Sequence, residues 1–275
     1  MQTEWNNPLS AKLYADRQNT IAPSGEELVF YRQYARQAAA EFPQSRALVL
    51  GATPELRDLG LNCGLEVTAV DINPKMIELA DRLLAISDRR RERVIVKDWL
   101  KIDFPPGCFA AVFGDVSLNN ITAENVPILL NKISTWLVRG GYVLLRNIVL
   151  PEKENDITRL PADLKLWREK KIGTREFYFR FRFGHGYACA YDQEKKFFDA
   201  AKEYEWLDRL LAEGVLTQNE HAEINARRGV YVHTVLPVNE FLNYFEKYFK
   251  VKKICAEVPE TYGFYPVKMF CGQKI

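Results

Sequence analysis

The sequence predicts an α/β fold built on an open, mostly parallel sheet. Three observations predict it. Short apolar runs that stop at glycine or an acid alternate with segments of helical periodicity. The first two runs, 47–50 and 65–70, are joined by one tight turn and a brief helix, which makes a βαβ unit. Acids stand at four successive strand exits, Glu55, Asp71, Asp98 and Asp115, separated by 16, 27 and 17 residues, each about one βα repeat.

The first unit fixes the ligand chemistry. Ala47-Leu-Val-Leu50 stops at Gly51, and Pro54 follows where a helix tolerates a missing N–H. Asp71 closes the second strand 20 residues after Gly51, a spacing suited to an acid that accepts both ribose hydroxyls of an adenosine. A pyrophosphate needs free amides at the helix start and close backbone approach. Here the turn reads Gly51-Ala-Thr-Pro-Glu55: Pro54 removes a donor, and Glu55 sets a carboxylate where phosphate oxygens would lie. The turn therefore suits a ligand with cationic groups and disfavours a nicotinamide dinucleotide. S-Adenosylmethionine has an ammonium, a sulfonium and a ribose diol, and no phosphate.

On these residues the chain resembles the class I S-adenosylmethionine-dependent methyltransferases over 47–151 and again in its C-terminal tail. It departs from the family pattern at Val49, where an acid is usual, and at Thr53 and Glu55, which replace later glycines. The resemblance implies S-adenosylmethionine as cofactor and S-adenosylhomocysteine as product, with Gly51, Ala52, Thr53, Glu55, Asp71, Ile72, Asp98, Trp99 and Asp115 around it. Asp98 would receive the adenine amino group and Trp99 would flank the ring; a capping Asp and a packing Trp are the alternative. It also implies a Rossmann-like, seven-stranded, mostly parallel sheet with a C-terminal antiparallel hairpin, an N-terminal helical segment and a mainly helical insertion after strand 5.

The remaining elements follow in order. Ser24-Gly-Glu-Glu27 is a capping box, and Leu28, Tyr31, Ala35, Ala38 and Phe42 recur at helical spacing until Pro43. Tyr14 or Tyr31 would close over the cofactor cleft, or else fill core and surface. Asn73 and Pro74 start a helix that ends near the basic run 88–93, whose cations suit a helix C-terminus and water. Strands at 94–96 and 109–113 precede Asp98 and Asp115. A helix over 122–138 is closed by Gly140-Gly141, and a fifth strand over 142–145 leads to Arg146 and Asn147. Residues 237–249 form an amphipathic helix, and 251–258 and 267–274 form the terminal hairpin. The domains expected are an N-terminal cap (1–45), a core (46–151 with 237–275) and an inserted substrate lid (152–236).

Within the insertion, 177–183 alternates like a strand, yet its aromatics also pair at helical spacing; its neighbours favour helix. Residues 197–211 form a clearer helix, with Phe198, Ala201, Tyr204 or Trp206, and Leu207 inward, and 220–226 a further helical turn. His185 and His233, beside Tyr187 and Tyr231, are candidate general bases or structural histidines. Arg146, Arg180 and Arg182 suit a substrate carboxylate or phosphate, or salt bridges within the lid. With Tyr187 they suggest an anionic or aromatic small molecule.

Composition narrows the class. The 275 residues are 47% hydrophobic and 27% charged, and the net charge of +2 implies no bulk attraction to nucleic acid or membrane. No apolar run is long enough to span a bilayer, and the N-terminus lacks the core of a signal peptide. Five dispersed cysteines suggest reduced thiols in the cytoplasm, and three scattered histidines argue against a metal site. No Asn-Pro-Pro-Tyr-type motif follows the fourth strand. The function expected is methylation of an O or N atom on a small molecule by in-line displacement. A methyltransferase-like protein that binds a ligand or partner without chemistry is the alternative.

Overall fold

The computed structural model describes residues 22–42, 45–150, 159–185, 187–226, 232–255 and 267–275. Helix α1 (Gly25–Glu41) opens with the expected capping box: Ser24 Oγ accepts from the Glu27 N–H, and the Glu27 carboxylate accepts from the Ser24 N–H. Strand β1 (Arg46–Leu50), helix α2 (Pro54–Asn62) and strand β2 (Glu66–Asp71) form the first unit, with Pro54 in the first helical turn. Helix α3 (Pro74–Asp81) is capped by Asn73, whose side chain accepts from the Lys75 N–H. It stops well short of the basic run. Asp81 is needed by Arg57, whose fully buried guanidinium bridges Asp81 at 2.7 Å and Glu92 at 2.6 Å. The run leads into strand β3 (Glu92–Val96), which takes its last two residues, instead of ending a helix.

After strand β4 (Phe109–Asp115), two short 3₁₀ turns lead to helix α4 (Val126–Trp136). Strand β5 (Leu137–Leu150) begins earlier than the glycine pair suggested. Gly140 and Gly141 lie inside it, where the pairing with β4 shifts register between Phe109 and Ala111. A Cβ on Gly141 would stand 3.0 Å from the Ala110 and Val138 carbonyls. The glycines bend a strand rather than close a helix.

Beyond β5 come helices α5 (Leu160–Arg168) and α6 (Thr174–Phe179), a π-helical segment at Arg180–His185, and the short α7 (Tyr187–Ala190). The ambiguous aromatic stretch is thus helical. Strands β6 (Tyr191–Asp192) and β7 (Phe197–Asp199) precede α8 (Ala200–Ala212). The helix expected from 197 starts three residues later: Asp199 caps it by accepting from the Ala201 N–H, and Phe197–Asp199 pairs as strand. Ala200 is buried in place of Ala201. Helix α9 (Gln218–Asn225), strands β8 (Val232–Thr234) and β9 (Leu236–Pro237), helix α10 (Val238–Phe245), and strands β10 (Phe249–Cys255) and β11 (Val267–Lys274) complete the chain.

The main sheet runs β3-β2-β1-β4-β5-β11-β10, with β9 adding to the far end of β5. β1 to β5 are parallel, and β11 is antiparallel to both β5 and β10. β6, β7 and β8 form a small separate sheet. Two layers of core flank the main sheet. One holds α4 and α10 side chains such as Leu129, Ile133, Phe241 and Phe245; the other holds Tyr31, Ala35 and Ala38 of α1 with Leu56 of α2. The order turns back between β1 and β4, which opens a crevice at the carboxyl ends of the strands. A third cluster gathers Phe177, Phe181, Phe198 and Tyr204 of the insertion into one core that also includes Val116 and Ile148 of the main sheet region.

Candidate cofactor and substrate site

The parallel register puts the acids of β2 and β4 on one edge. Asp71 and Asp115 are the last residues of their strands, and Asp98 follows the end of β3 two residues past Val96, which pairs with Asp71. Gly51 has φ +110°, a conformation glycine tolerates and L side chains rarely adopt. A Cβ there would lie 3.9 Å from both Asp71 Oδ2 and the Trp99 ring, so the glycine keeps a cradle open between carboxylate and indole. Trp99 is held in place by its indole N–H, which donates to the Val70 carbonyl at 2.6 Å.

Asp71 accepts from the Asn73 N–H at 2.8 Å. Burial pushes its carboxyl up to about 6, while the N–H groups of Asn73, Ala52 and Ile72 oppose the rise. Ile72 is 39% exposed although it is large and apolar, and it adjoins Asp71. Asp98 uses Oδ1 to accept from the Leu100 N–H, with Lys101 Nζ 3.9 Å from Oδ2. The capping role is therefore present, on one of its two oxygens. These groups fit S-adenosylmethionine: an acid for the diol, a flat ring and an apolar side chain for the base, and Pro54 and Glu55 where a phosphate would need donors.

At the β4 exit the arrangement differs. Arg146 donates from Nη1 to Asp115 at 2.9 Å and from Nε to Glu27 at 2.8 Å. All three side chains are more than nine-tenths buried. Burial pushes Asp115 up to about 6; Arg146 opposes the shift, and Glu27 and Glu55 add to it. Tyr31 is fully buried, donates to the Gly114 carbonyl at 2.8 Å and packs edge-on against Phe113, so it fills the core beside β4, the alternative to closing over a cleft. Val116 follows Asp115 with φ 55°, strained for a β-branched residue, and its N–H donates to the Arg146 carbonyl at 2.7 Å. Strain of this kind is retained where the surroundings over-determine it. Tyr14 and the side chain of Tyr187 lie outside the described residues.

The insertion holds the other candidates. His185 Nε2 lies 2.9 Å from Asp163 Oδ2, and Arg180 reaches Asp163 Oδ1 at 2.8 Å and Glu176 at 2.5 Å. His185 is 3% exposed. Arg182 lies 3.2 Å from Glu203 and sits over the rings of Tyr178 and Phe198. Burial pushes Glu203 up to about 7. His233 pairs across β7 with Phe198. Burial, with the nearby Arg182 charge, drives its imidazole down to about 3, so it is neutral near pH 7 and a weak proton acceptor.

Four residues in these networks escaped sequence reasoning. Glu27 was visible only as a cap, and its second oxygen reaches Arg146, 119 residues away. Asp163, which orients His185, shares no local pattern with it. Glu203 had a local signal: it is a carboxylate on the buried stripe Ala200, Tyr204, Leu207 and Leu210 of α8. Asn119 ties β4 to both β5 and β8, bonding the Ile148 backbone through both its amide groups and donating to the Thr234 carbonyl at 2.6 Å.

The methyltransferase-domain family matches residues 51–141. No curated protein matches the sequence. Solved structures share the fold at low identity. A SAM-dependent methyltransferase from Methanosarcina mazei is 14% identical, with a TM-score of 0.51 over 86% of this chain and 95% of its own. An S-adenosylmethionine-dependent methyltransferase from Mesorhizobium loti is 13% identical, with a TM-score of 0.50 over 89% and 100%. A protein from Rhodobacter sphaeroides named a zinc-dependent alcohol dehydrogenase is 20% identical, with a TM-score of 0.54 over 96% and 98%. At such identities each likeness speaks to the fold alone. Residues 51–141 match the methyltransferase-domain family, and the strand order and acid-lined edge are those of a Rossmann-like methyltransferase fold with S-adenosylmethionine as the cofactor it takes.

Proposed function

We propose that the protein methylates a nitrogen or oxygen atom of a small molecule enclosed beneath a lid formed by residues 152–236. The observation that carries this reading is the cradle in which Gly51, Asp71 and Trp99 meet at the sheet edge. Bound there, S-adenosylmethionine supplies an electrophilic methyl on a sulfonium whose departing thioether needs no protonation. The chain's own work is alignment, exclusion of water and removal of a proton. Asp71 fixes the ribose, Trp99 and Ile72 flank the base, and Asp98 Oδ2 faces its amino group. In this reading the aromatic core of the insertion, which Val116 and Ile148 join, excludes water from the acceptor. Asp115 at the β4 exit and His185, oriented by Asp163, are the candidate proton acceptors in this reading.

Thr53 and Glu55 in place of glycines favour a second reading, a ligand-binding protein without turnover. Calorimetry with S-adenosylmethionine and S-adenosylhomocysteine, followed by mass spectrometry of a metabolite extract incubated with the former, separates the two. Micromolar binding and a product heavier by one methyl are expected. Binding without any methylated product favours the second reading, and no binding of either nucleoside removes both.

A further inference from the structure

The peptide that joins Leu50 to Gly51 is bonded at both ends. Its N–H donates to the Val70 carbonyl at 2.8 Å, and its carbonyl accepts from Ser117 Oγ at 2.5 Å. The Val70 carbonyl also takes the Trp99 indole N–H at 2.6 Å. One peptide plane therefore ties together Gly51, the strand that ends in Asp71, the ring of Trp99 and the turn after β4. Gly51 sits at φ +110°, so the rotation of that plane sets the course of the turn. Ser117 is 1% exposed, and a hydroxyl bond so deeply buried is not replaced by solvent when it is lost.

Ser117 reaches Leu50 because the chain beside it is forced. Val116 has φ 55°, a left-handed conformation that is costly for a β-branched side chain. Its N–H is held by the Arg146 carbonyl, and its own carbonyl accepts from the Asn119 N–H at 3.2 Å and from Asn120 Nδ2 at 3.0 Å. Gly114 supplies the room, since a Cβ on it would stand 3.1 Å from Ser117 Oγ. Asn119 anchors the turn on its other side. Its amide accepts from the Ile148 N–H at 3.0 Å and donates to the Ile148 and Thr234 carbonyls at 2.8 and 2.6 Å. Thr234 answers through its hydroxyl, which donates to the Ile121 carbonyl. A side chain can position another group only if it is itself immobile. This turn is fixed to β5 and to β8 of the insertion as well as to β1.

We propose, resting on the cradle reading above, that Ser117 is a positioning residue for the cofactor. By fixing the Leu50–Gly51 peptide it sets the spacing of the Asp71 carboxylate and the Trp99 ring before the nucleoside arrives. It contacts neither methyl donor nor acceptor. Such preorganisation is read as affinity, because the turn need not be ordered on binding. Through Asn119 the same turn holds β8, so the insertion and the cofactor cradle share one support.

The test uses the full chain and S-adenosylhomocysteine, with calorimetry for affinity and hydrogen exchange by NMR for the Gly51 amide. Ser117→Ala should weaken binding about fivefold or more, roughly one net hydrogen bond. It should also lower the protection of the Gly51 N–H more than that of the β1 amides before it. Ser117→Cys is close in volume with a much weaker donor, and should fall between wild type and Ser117→Ala. It decides the matter if the alanine variant does not fold. Affinity within about twofold of wild type in both variants overturns the proposal. Weaker binding with unchanged Gly51 protection overturns it too. So does a loss of protection spread evenly over β1 to β5, because Ser117 would then add stability without placing the turn. The wild-type titration comes first: no binding there removes the cradle reading and this role with it, whereas wild-type binding with unaffected variants removes the role of Ser117 alone.

Discussion

The sheet edge and the insertion satisfy their buried charges in opposite ways. At the edge, Asp71 is held by backbone N–H groups of its own turn, and Asp98 by the Leu100 N–H. In the insertion, charges answer one another through side chains: Arg180 with Asp163 and Glu176, Arg182 with Glu203. A carboxylate held by backbone keeps its place when a ligand arrives and still has lone pairs to offer. A carboxylate held by a guanidinium is part of the packing. The β4 exit belongs to both regimes, since Asp115 ends a strand yet shares Arg146 with Glu27.

Breaking a lid pair should therefore cost stability, and breaking an edge acid should cost binding. Arg182→Ala strands Glu203, whose side chain is 1% exposed, and should destabilise the protein by about 3–5 kcal/mol. Thermal unfolding and hydrogen exchange in α6 and α8 would show it. A loss below about 1 kcal/mol would mean that the insertion's charges are not paired as described. Asp71→Ala should weaken S-adenosylmethionine binding by about 100-fold or more, since the diol loses a charged acceptor. Calorimetry checks this, with circular dichroism to show an intact fold. Near-normal affinity would mean that the ribose lies elsewhere.

The same contrast explains what the sequence made legible. Gly51, Asp71, Asp98 and Asp115 were readable as strand-exit positions because strand length and helix length fix the chain distance between exits; the partners of Asp71 and Asp98 are local, whereas that of Asp115, Arg146, lies 31 residues on. The capping box at Ser24 and the terminal hairpin were readable for the same reason. Helix ends were less so. The glycines at 140 and 141 signal a break in regular structure without saying whether a helix stops or a strand bulges, and Asp199 could cap a helix or sit within one. The ion pairs were least readable. Arg146, Arg180 and Arg182 looked like an anion site because a guanidinium in a sequence has no visible partner, while Glu27, Asp163 and Glu203 lie from 17 to 119 residues away.

The pH dependence sharpens the comparison further. The Asp71 carboxyl is raised in the folded state, from near 3.8 to about 6. A raised carboxyl favours the folded state when protonated, so this contribution is present in full below about pH 4 and is lost as pH rises through 6. The ligand-free protein should accordingly be more stable near pH 5 than near pH 7.5 by about 1.4 kcal/mol from this group, roughly one pKa unit's worth. Asp71→Asn should flatten that difference. Binding runs the other way, because the diol donates to the ionised form. Affinity for S-adenosylhomocysteine should fall by about tenfold between pH 7 and pH 5 in the wild type. An affinity that does not change across this range would place the diol on a group other than Asp71.

The smallest expected effect sits where local and long-range bonding share one side chain. Glu27 gives one oxygen to the Ser24 N–H and the other to Arg146. Ser24→Ala removes only the Oγ that accepts from the Glu27 N–H, at a rather long 3.2 Å, and should cost about 1 kcal/mol of stability. The Ser24 N–H and the Arg146 contact remain, so affinity for S-adenosylhomocysteine should stay within about twofold. Glu27→Gln removes the charge from both partners at once. It should cost more than Ser24→Ala because the buried Arg146 guanidinium loses a charged partner at 2.8 Å. If the two variants destabilise equally in denaturant titrations, Glu27 acts only as a helix cap, and the link from α1 to the β4 exit carries no energy.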